Sequence, residues 1–155
     1  MSETKKFRER LSPHRIKNLN SRSVVLVGMM GAGKTYVGQK LAYLAGLPFV
    51  DADCEIEIAA KCTINEIFER LGEEAFRKGE AKVIRRLLGL GPQIISTGGG
   101  AFINSSTRNN IRMKGVSVWL KASPKILRHR TRHKKHRPLL NTETPDETLL
   151  KILHD

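Results

Sequence analysis

Four short apolar runs, rich in β-branched residues, recur along the chain at residues 23–27, 47–50, 93–97 and 116–120. Runs of this length are typical of strands buried in a sheet. Between them, apolar residues return at the three- and four-residue spacing of a helix that packs on one face. The pattern predicts an α/β chain in which strands alternate with helices.

Capping residues predict where several of these helices begin and end. Gly46 is predicted to end the helix after the first strand, and residues 63–66 (TINE) form a capping box that begins another. That second helix is predicted to stop at Gly72, and a longer helix is predicted over residues 73–88. Ser123 is predicted to cap a further helix that opens with a proline.

The first strand runs into residues 28–35 (GMMGAGKT), which fit the phosphate-loop pattern G-x-x-x-x-G-K-[ST] at every fixed position. In such a loop the glycines let backbone N–H groups surround a polyphosphate at the N-terminus of the next helix. The lysine reaches the outer phosphates, and the hydroxyl that follows is placed to bind Mg²⁺. The residues predicted to bind a nucleotide in this way are Gly28, Gly31, Ala32, Gly33, Lys34 and Thr35.

Two carboxylates, Asp51 and Asp53, follow the second strand. Ligands of open α/β sheets bind at the carboxyl ends of the strands, so this pair is well placed to meet a metal ion or a substrate hydroxyl. The third strand lacks the terminal Asp that often binds Mg²⁺ in phosphate-loop enzymes, which makes Asp51 or Asp53 the predicted source of that carboxylate. The alternative for Asp53 is that it only caps the next helix.

The third strand leads directly into Gly98, Gly99 and Gly100. Three glycines leave the backbone free of side chains, so another group can approach the main chain closely. Arg77 lies one position off the apolar stripe of the predicted 73–88 helix, toward the ligand edge of the sheet. Taken by itself, Arg77 would be read as a solvated surface residue.

The length of 155 residues predicts one domain, which we place at residues 23–155, behind a flexible basic extension over residues 1–22. No apolar run is long enough to span a bilayer and no secretory signal is present, so we expect a cytoplasmic protein with no membrane partner. Cys54 and Cys62 have no further metal-ligand partners, and we expect both to be reduced thiols.

The formal net charge of +13 falls entirely within two segments. Residues 1–22 carry seven Lys/Arg against two Glu, and residues 121–137 carry eight Lys/Arg and no acid. A nucleic-acid-binding protein that uses these segments is one alternative function. It would require aromatic platforms or a basic patch on the folded body, whereas aromatic residues make up 5% of the chain and the remaining residues are neutral overall. We therefore expect no nucleic-acid partner.

The second basic segment includes Arg130 and ends at Arg137, directly before Pro138. Such a run is ordinarily a solvated face. A mobile basic loop within reach of a nucleotide would instead neutralise the charge that develops in phosphoryl transfer. We therefore predict a lid over residues 128–142, followed by a last helix over residues 144–153.

The sequence resembles shikimate kinase over residues 23–145. The resemblance rests on the order and spacing of five motifs: the phosphate loop, Asp51-Ala52-Asp53, Phe76-Arg77, Gly98-Gly99-Gly100 and Arg137-Pro138-Leu139-Leu140. It implies a phosphate-loop kinase fold, with a doubly wound parallel sheet of strand order 2-3-1-4, helices on both faces and a basic lid. It also implies ATP-dependent phosphorylation of the 3-hydroxyl of shikimate, in chorismate and aromatic amino-acid biosynthesis.

The resemblance further implies a role for each site residue. Lys34, Asp53 and Arg137 would be catalytic, with Asp53 orienting or deprotonating the hydroxyl that attacks. Thr35 would bind Mg²⁺, and Asp51 would join it through water. The ATP-binding residues would be Gly28, Gly31, Ala32, Gly33, Lys34, Thr35, Arg137 and, near the adenine, Arg130. The substrate-binding residues would be Asp53, Gly98, Gly99, Gly100 and, paired with the shikimate carboxylate, Arg77.

The resemblance departs at the C-terminus, where the family continues into a helix with a second carboxylate-binding arginine and then a fifth strand. We therefore expect a C-terminally incomplete domain that would be a monomer when complete. Two alternatives stay open. One is a kinase for another small polyol acid such as gluconate, against which Arg77, Asp53 and the three glycines argue. The other is an inactive, truncated kinase fragment.

Overall fold

The apolar runs of the sequence form one parallel sheet in the computed structural model, which describes residues 21–131. The strands are β1 (Ser23–Val27), β2 (Phe49–Asp51), β3 (Ile94–Ser96) and β4 (Gly115–Trp119). They lie in the order β2-β3-β1-β4, and every neighbouring pair is parallel. The predicted strands and their predicted order are therefore confirmed.

Helices connect these strands, as a parallel sheet requires. Within the described residues they are α1 (Lys34–Ala45), α2 (Ala52–Ala60), α3 (Ile64–Leu87), α4 (Ser105–Lys114) and α5 (Pro124–Thr131). Gly46 ends α1 in the left-handed conformation, and Thr63 with Glu66 forms the predicted capping box of α3. As predicted, two helices meet at Gly72, whose backbone is not helical; a kink separates them there, and we label the two together as α3.

The sequence analysis missed α4 because its segment, SSTRNNIRMK, has no apolar stripe. The helix begins at an Asn104 cap, whose side chain accepts a hydrogen bond from the backbone N–H of Thr107 at 3.1 Å. Its contribution to the core is concentrated in Ile111, which is buried. One cap and two buried residues, Thr107 and Ile111, thus hold a helix whose other residues are mostly polar.

Helices pack on both faces of the sheet, and alternate residues of β1 belong to the core on one face or the other. Val25 and Val27 belong to the larger core cluster, which includes buried residues of α2, α3 and α4. Val24 and Leu26 alternate with them and belong to a second cluster on the α1 side. The strand is buried along its whole length, which explains why it reads as a continuous apolar run rather than as an alternating one.

Several predictions concern residues outside 21–131. Almost all of the basic extension over residues 1–22, most of the predicted lid, Arg137 and the helix predicted over residues 144–153 lie outside the described residues. The proposed domain boundaries therefore stay predictions. Among the described residues, no helix combines the length and the apolar character needed to cross a bilayer.

Candidate active site

A cleft of about 1360 Å³ opens where the strands β1, β2 and β3 end. The loops that follow these three strands line it, together with residues of α3 and with Arg130 of α5. Of the predicted site residues that the structure describes, Gly28 alone does not line this cleft. Side chains that are distant in sequence meet here because the carboxyl ends of parallel strands share one edge of the sheet.

The phosphate loop has the backbone that its glycines predict. Gly31 and Gly33 have φ angles of 81° and 95°, a region that favours glycine. Gly33 is also the N-terminal cap of α1, and as a glycine it has no side chain that could bond the first backbone N–H groups of the helix. The N-terminus of α1 therefore points its backbone N–H groups and the positive end of its dipole at the loop, as an anion site does.

Lys34 lies under this loop rather than in open solvent. The residue is 7% exposed, and its Nζ donates hydrogen bonds to the carbonyl oxygens of Gly28 at 2.6 Å and Met29 at 2.9 Å. These bonds fix the ammonium group beside the space that a bound polyphosphate would fill. The charge is thereby oriented before any ligand arrives.

Thr35 and Asp51, the two predicted metal ligands, contact each other in the cleft. Thr35 Oγ1 donates a hydrogen bond to Asp51 Oδ2 at 3.0 Å. A hydroxyl and a carboxylate oxygen are ligands that suit Mg²⁺, which takes few protein ligands and keeps several waters. Residues 21–131 contain no cluster of three or more His, Cys, Asp or Glu side chains that could hold a metal ion.

The alternative that Asp53 only caps the next helix is wrong, because Asp51 is the cap. Asp51 Oδ1 accepts a hydrogen bond from the backbone N–H of Asp53 at 3.1 Å, and α2 begins at Ala52. Asp53 is therefore in the first turn of α2 and lines the cleft.

The environment of Asp53 favours its neutral form. Burial is the main cause, and the negative charges of Asp51 and Glu80 act in the same direction. Lys34 opposes them, and the net effect raises the pKa of Asp53 to about 6. A carboxyl with such a pKa can both accept and release a proton near neutral pH.

Arg77 is held in the cleft and is not the solvated residue that its sequence position alone would suggest. Its guanidinium forms ion pairs with Glu80 at 2.8 Å and Glu73 at 3.2 Å, and it lies 5.1 Å from the ring centroid of Phe76. The side chain is 17% exposed. Three neighbours of the same helix thus fix the orientation of this cation.

Glu80 is a site residue that the sequence analysis missed. The residue is fully buried, and one carboxylate oxygen bonds Arg77 while the other, Oε1, has no hydrogen-bond partner in the described part of the chain. Burial raises the pKa of Glu80, and Arg77 opposes that shift. The sequence feature that could have identified Glu80 is an acidic residue within the buried stripe of α3, three residues after Arg77.

The three glycines after β3 are needed because the site's own side chains approach them. A Cβ on Gly98 would lie 2.9 Å from carboxylate oxygens of both Asp53 and Glu80. A Cβ on Gly100 would lie 2.5 Å from Nη2 of Arg77. The backbone between them therefore contacts an acidic pair at one end and a guanidinium at the other.

Gly99 joins this strip to the nucleotide side of the cleft. A Cβ there would lie 3.0 Å from the backbone N of Met30 in the phosphate loop. The middle glycine therefore allows the two loops to touch, so the predicted nucleotide and substrate sites form one continuous cleft.

Arg130 lies against the phosphate loop. Its Nη1 donates to the carbonyl oxygen of Gly31 at 3.3 Å, and the side chain lines the cleft. This contact places Arg130 on the nucleotide side, whereas its predicted position beside the adenine stays a prediction. Arg137, the other predicted lid arginine, is outside the described residues.

Comparison with known proteins gives a consistent result. The family model for shikimate kinase matches residues 30–155. A shikimate kinase from Bradyrhizobium diazoefficiens is 54% identical over 135 residues, which cover 87% of this chain and 65% of that protein. The shikimate kinase from Cereibacter sphaeroides is 56% identical over 132 residues, covering 85% of this chain and 66% of its own length. The chain thus spans about two thirds of the length of these curated relatives.

Solved structures agree with the sequence comparison. A shikimate kinase from Acinetobacter baumannii, in complex with shikimate, superposes with a TM-score of 0.86 at 38% identity, covering 92% of this chain and 78% of that one. A gluconokinase from Sinorhizobium meliloti has a TM-score of 0.55 at 21% identity, covering 86% of this chain and 74% of that one, so it shares the fold. The family model and the level of identity to several relatives establish that the chain belongs to the shikimate kinase family.

Proposed function

We propose that this chain catalyses the ATP-dependent phosphorylation of the 3-hydroxyl of shikimate. The observation that carries the proposal is the juxtaposition of Asp53 and Arg77 at opposite ends of the Gly98–Gly100 backbone, in a cleft continuous with the phosphate loop. One end offers an acceptor for hydroxyl groups, and the other offers a guanidinium for a carboxylate. Shikimate carries both kinds of group, and the relative from A. baumannii is described in complex with it.

In the proposed reaction, the oxygen of the 3-hydroxyl forms a bond to the γ-phosphorus of ATP. The bond between that phosphorus and the oxygen bridging to the β-phosphate breaks, and ADP leaves with the electron pair. Asp53 orients the hydroxyl or accepts its proton. Lys34 and the N-terminus of α1 stabilise the negative charge on the transferring phosphoryl group.

Thr35 and Asp51 would hold the divalent metal ion, which we propose to be Mg²⁺, with Asp51 acting through water. When bound, the metal neutralises charge on the β- and γ-phosphates. The 3.0 Å contact between Thr35 Oγ1 and Asp51 Oδ2 supports this assignment, because it already brings a hydroxyl and a carboxylate together beside the phosphate loop.

Arg77 would bind the substrate carboxylate. A guanidinium suits this role because its donors match the two oxygens of a carboxylate. Arg130 and Arg137 would act on the ATP side, with Arg137 reaching the phosphates. The Arg130 contact with Gly31 supports the nucleotide-side placement of that residue. A reaction that consumes ATP also fits the predicted cytoplasmic location.

The proposal is tested by ATP consumption in a coupled assay with shikimate, gluconate or RNA as the acceptor. We expect acceptor-dependent turnover with shikimate and only background hydrolysis with the other two. An Arg77→Met variant should lose most of its turnover at limiting shikimate. An Arg70→Met variant is the matched control, because Arg70 is on the same helix with its side chain 72% exposed. Turnover with gluconate or RNA that equals turnover with shikimate would contradict the proposal.

A further inference from the structure

We propose that Gly72 is a positioning residue for substrate binding. Its backbone conformation kinks α3, so that Phe68 packs on Phe76 and Arg77 is presented to the cleft. The inference rests on the proposed function, because the ligand of Arg77 would be the substrate carboxylate.

The backbone at Gly72 is the first observation. Its φ and ψ angles are 79° and 171°, inside an element whose other residues are helical. This combination is reached almost only by glycine, because any L side chain there would collide with its own backbone. The conformation of this residue, rather than a side-chain contact, produces the kink.

The aromatic pair on either side of the kink is the second observation. Phe68 and Phe76 are eight residues apart, so on an unbroken helix their Cα atoms would be separated by about 12 Å along the axis. Their ring centroids are 4.7 Å apart, with planes inclined at 41°. The kink at Gly72 therefore lets two rings meet that a straight helix would hold apart.

This contact organises one wall of the cleft. Phe68, before the kink, and Phe76 and Arg77, after it, all line the same cavity. Phe76 is buried, and its ring lies 5.1 Å from the Arg77 guanidinium carbon. Phe68 thus packs on Phe76, which in turn packs on the cation proposed to bind the substrate. Straightening α3 would remove the first of these contacts and move the others.

The local environment makes Gly72 a clean position for substitution. A Cβ built on Gly72 meets nothing within 4 Å, so alanine would act through the backbone alone and not through a clash. Gly79, in the same helix, also has nothing within 4 Å of a built Cβ, but its φ is not positive. Gly79→Ala is therefore a matched control, with the same change of side chain at a backbone conformation that alanine accepts.

The experiment compares the wild-type chain with Gly72→Ala, Gly79→Ala and a ligated chain that carries D-alanine at position 72. A D-residue favours positive φ and so should keep the kink. The first readout is the inter-ring nuclear Overhauser effect between Phe68 and Phe76, which is assignable because the chain contains five phenylalanines. The second readout is KM for shikimate and for ATP.

We expect Gly72→Ala to lose the inter-ring effect and to raise KM for shikimate about ten- to a hundredfold, with KM for ATP unchanged. Gly79→Ala and the D-alanine chain should match the wild type in both readouts. A merely structural role for Gly72 would instead affect both substrates together.

The proposal is overturned if Gly72→Ala keeps the ring contact, or loses it with no change in KM for shikimate. Should Gly72→Ala not fold, the D-alanine chain decides: it must fold, show the ring contact and retain the wild-type KM for shikimate, and failure in any of these contradicts the proposal. If the wild-type chain does not phosphorylate shikimate, the proposed function fails. In that case the ring contact still decides whether Gly72 sets the geometry of α3.

Discussion

The charged residues of the cleft are held largely out of water by specific neighbours. Lys34 donates to two carbonyl oxygens of the phosphate loop, and Arg77 bonds the fully buried Glu80. Charges fixed in this way act on a ligand without reorganising first, and the low local dielectric makes each of them more effective. Removing one such charge should therefore change turnover or binding even where the fold is kept.

Lys34→Met should lower kcat by about a hundred- to a thousandfold, the usual effect of removing one positioned group that stabilises transition-state charge. Some loss of thermal stability should accompany it, because the Lys34 ammonium bonds the loop carbonyls of Gly28 and Met29. The measurement is turnover at saturating ATP, with circular dichroism to confirm folding. Lys40→Met, on the exposed side of α1, should retain wild-type turnover. Near-wild-type turnover of Lys34→Met would refute the phosphate-loop assignment.

Glu80→Gln should change how stability depends on pH. Because burial raises the pKa of Glu80 in the folded chain, its carboxyl favours folding while protonated, below the ordinary value of 4.5. That contribution is lost as the pH rises through the folded pKa. The stability of Glu80→Gln relative to the wild type should therefore increase with pH from about 4.5 upward, as measured by urea unfolding in a series of buffers.

The control for this series is Glu73→Gln, which removes the exposed partner of Arg77. An exposed ion pair contributes little to stability, so this variant should differ little from the wild type across the series. A stability difference that falls with rising pH would contradict the raised pKa of Glu80.

The same Glu80→Gln variant should also bind shikimate more weakly, because Arg77 loses its shortest ion pair.

The helices and loops bring the charged residues of the cleft together, and the clearest case is the strip of three glycines after β3, Gly98–Gly100. The backbone of Gly98–Gly100 passes between the start of α2, the middle of α3 and the phosphate loop, and it closely approaches atoms of each. None of the three glycines has a φ in the left-handed region. Their role is therefore to leave space, in contrast to Gly31 and Gly33, whose role is conformational.

Gly100→Ala tests that role. With φ at −101°, Gly100 has a backbone that alanine accepts, so the effect should come only from a Cβ 2.5 Å from Nη2 of Arg77. The flexible guanidinium should move aside, which leaves the fold intact but raises KM for shikimate about tenfold or more, with KM for ATP unchanged. Steady-state kinetics with each substrate varied in turn measures both values. An equal rise in both would show that the strip does not act through Arg77.

At the scale of the whole molecule, one sheet edge joins a nucleotide side and a substrate side. The sequence predicts most of this arrangement, because the signals are local. Buried strands read as apolar runs, the phosphate loop has a fixed pattern, and the caps at Gly46 and Thr63 mark helix ends. The strand order came from the family resemblance and agrees with the sheet.

What the sequence did not reveal depends on contacts between distant segments. Glu80 looks like one more charged helix residue until the fold buries it beside Arg77 and Gly98. Helix α4 has no periodic stripe, because one side chain, Ile111, does most of its core packing. The kink at Gly72 was predicted as a helix end, but its consequence, the contact between Phe68 and Phe76, required coordinates.

The central claim is that the cleft transfers a phosphoryl group from ATP to the 3-hydroxyl of shikimate. Phosphorus NMR of the reaction mixture tests it most directly, because it identifies the product rather than the loss of ATP. We predict a new phosphomonoester signal, coupled to the proton on carbon 3 of shikimate, that grows as the γ-phosphate signal of ATP declines and that grows about a hundred- to a thousandfold more slowly with Lys34→Met. ATP hydrolysis to inorganic phosphate without that ester, or an ester formed equally well from gluconate, would contradict the account.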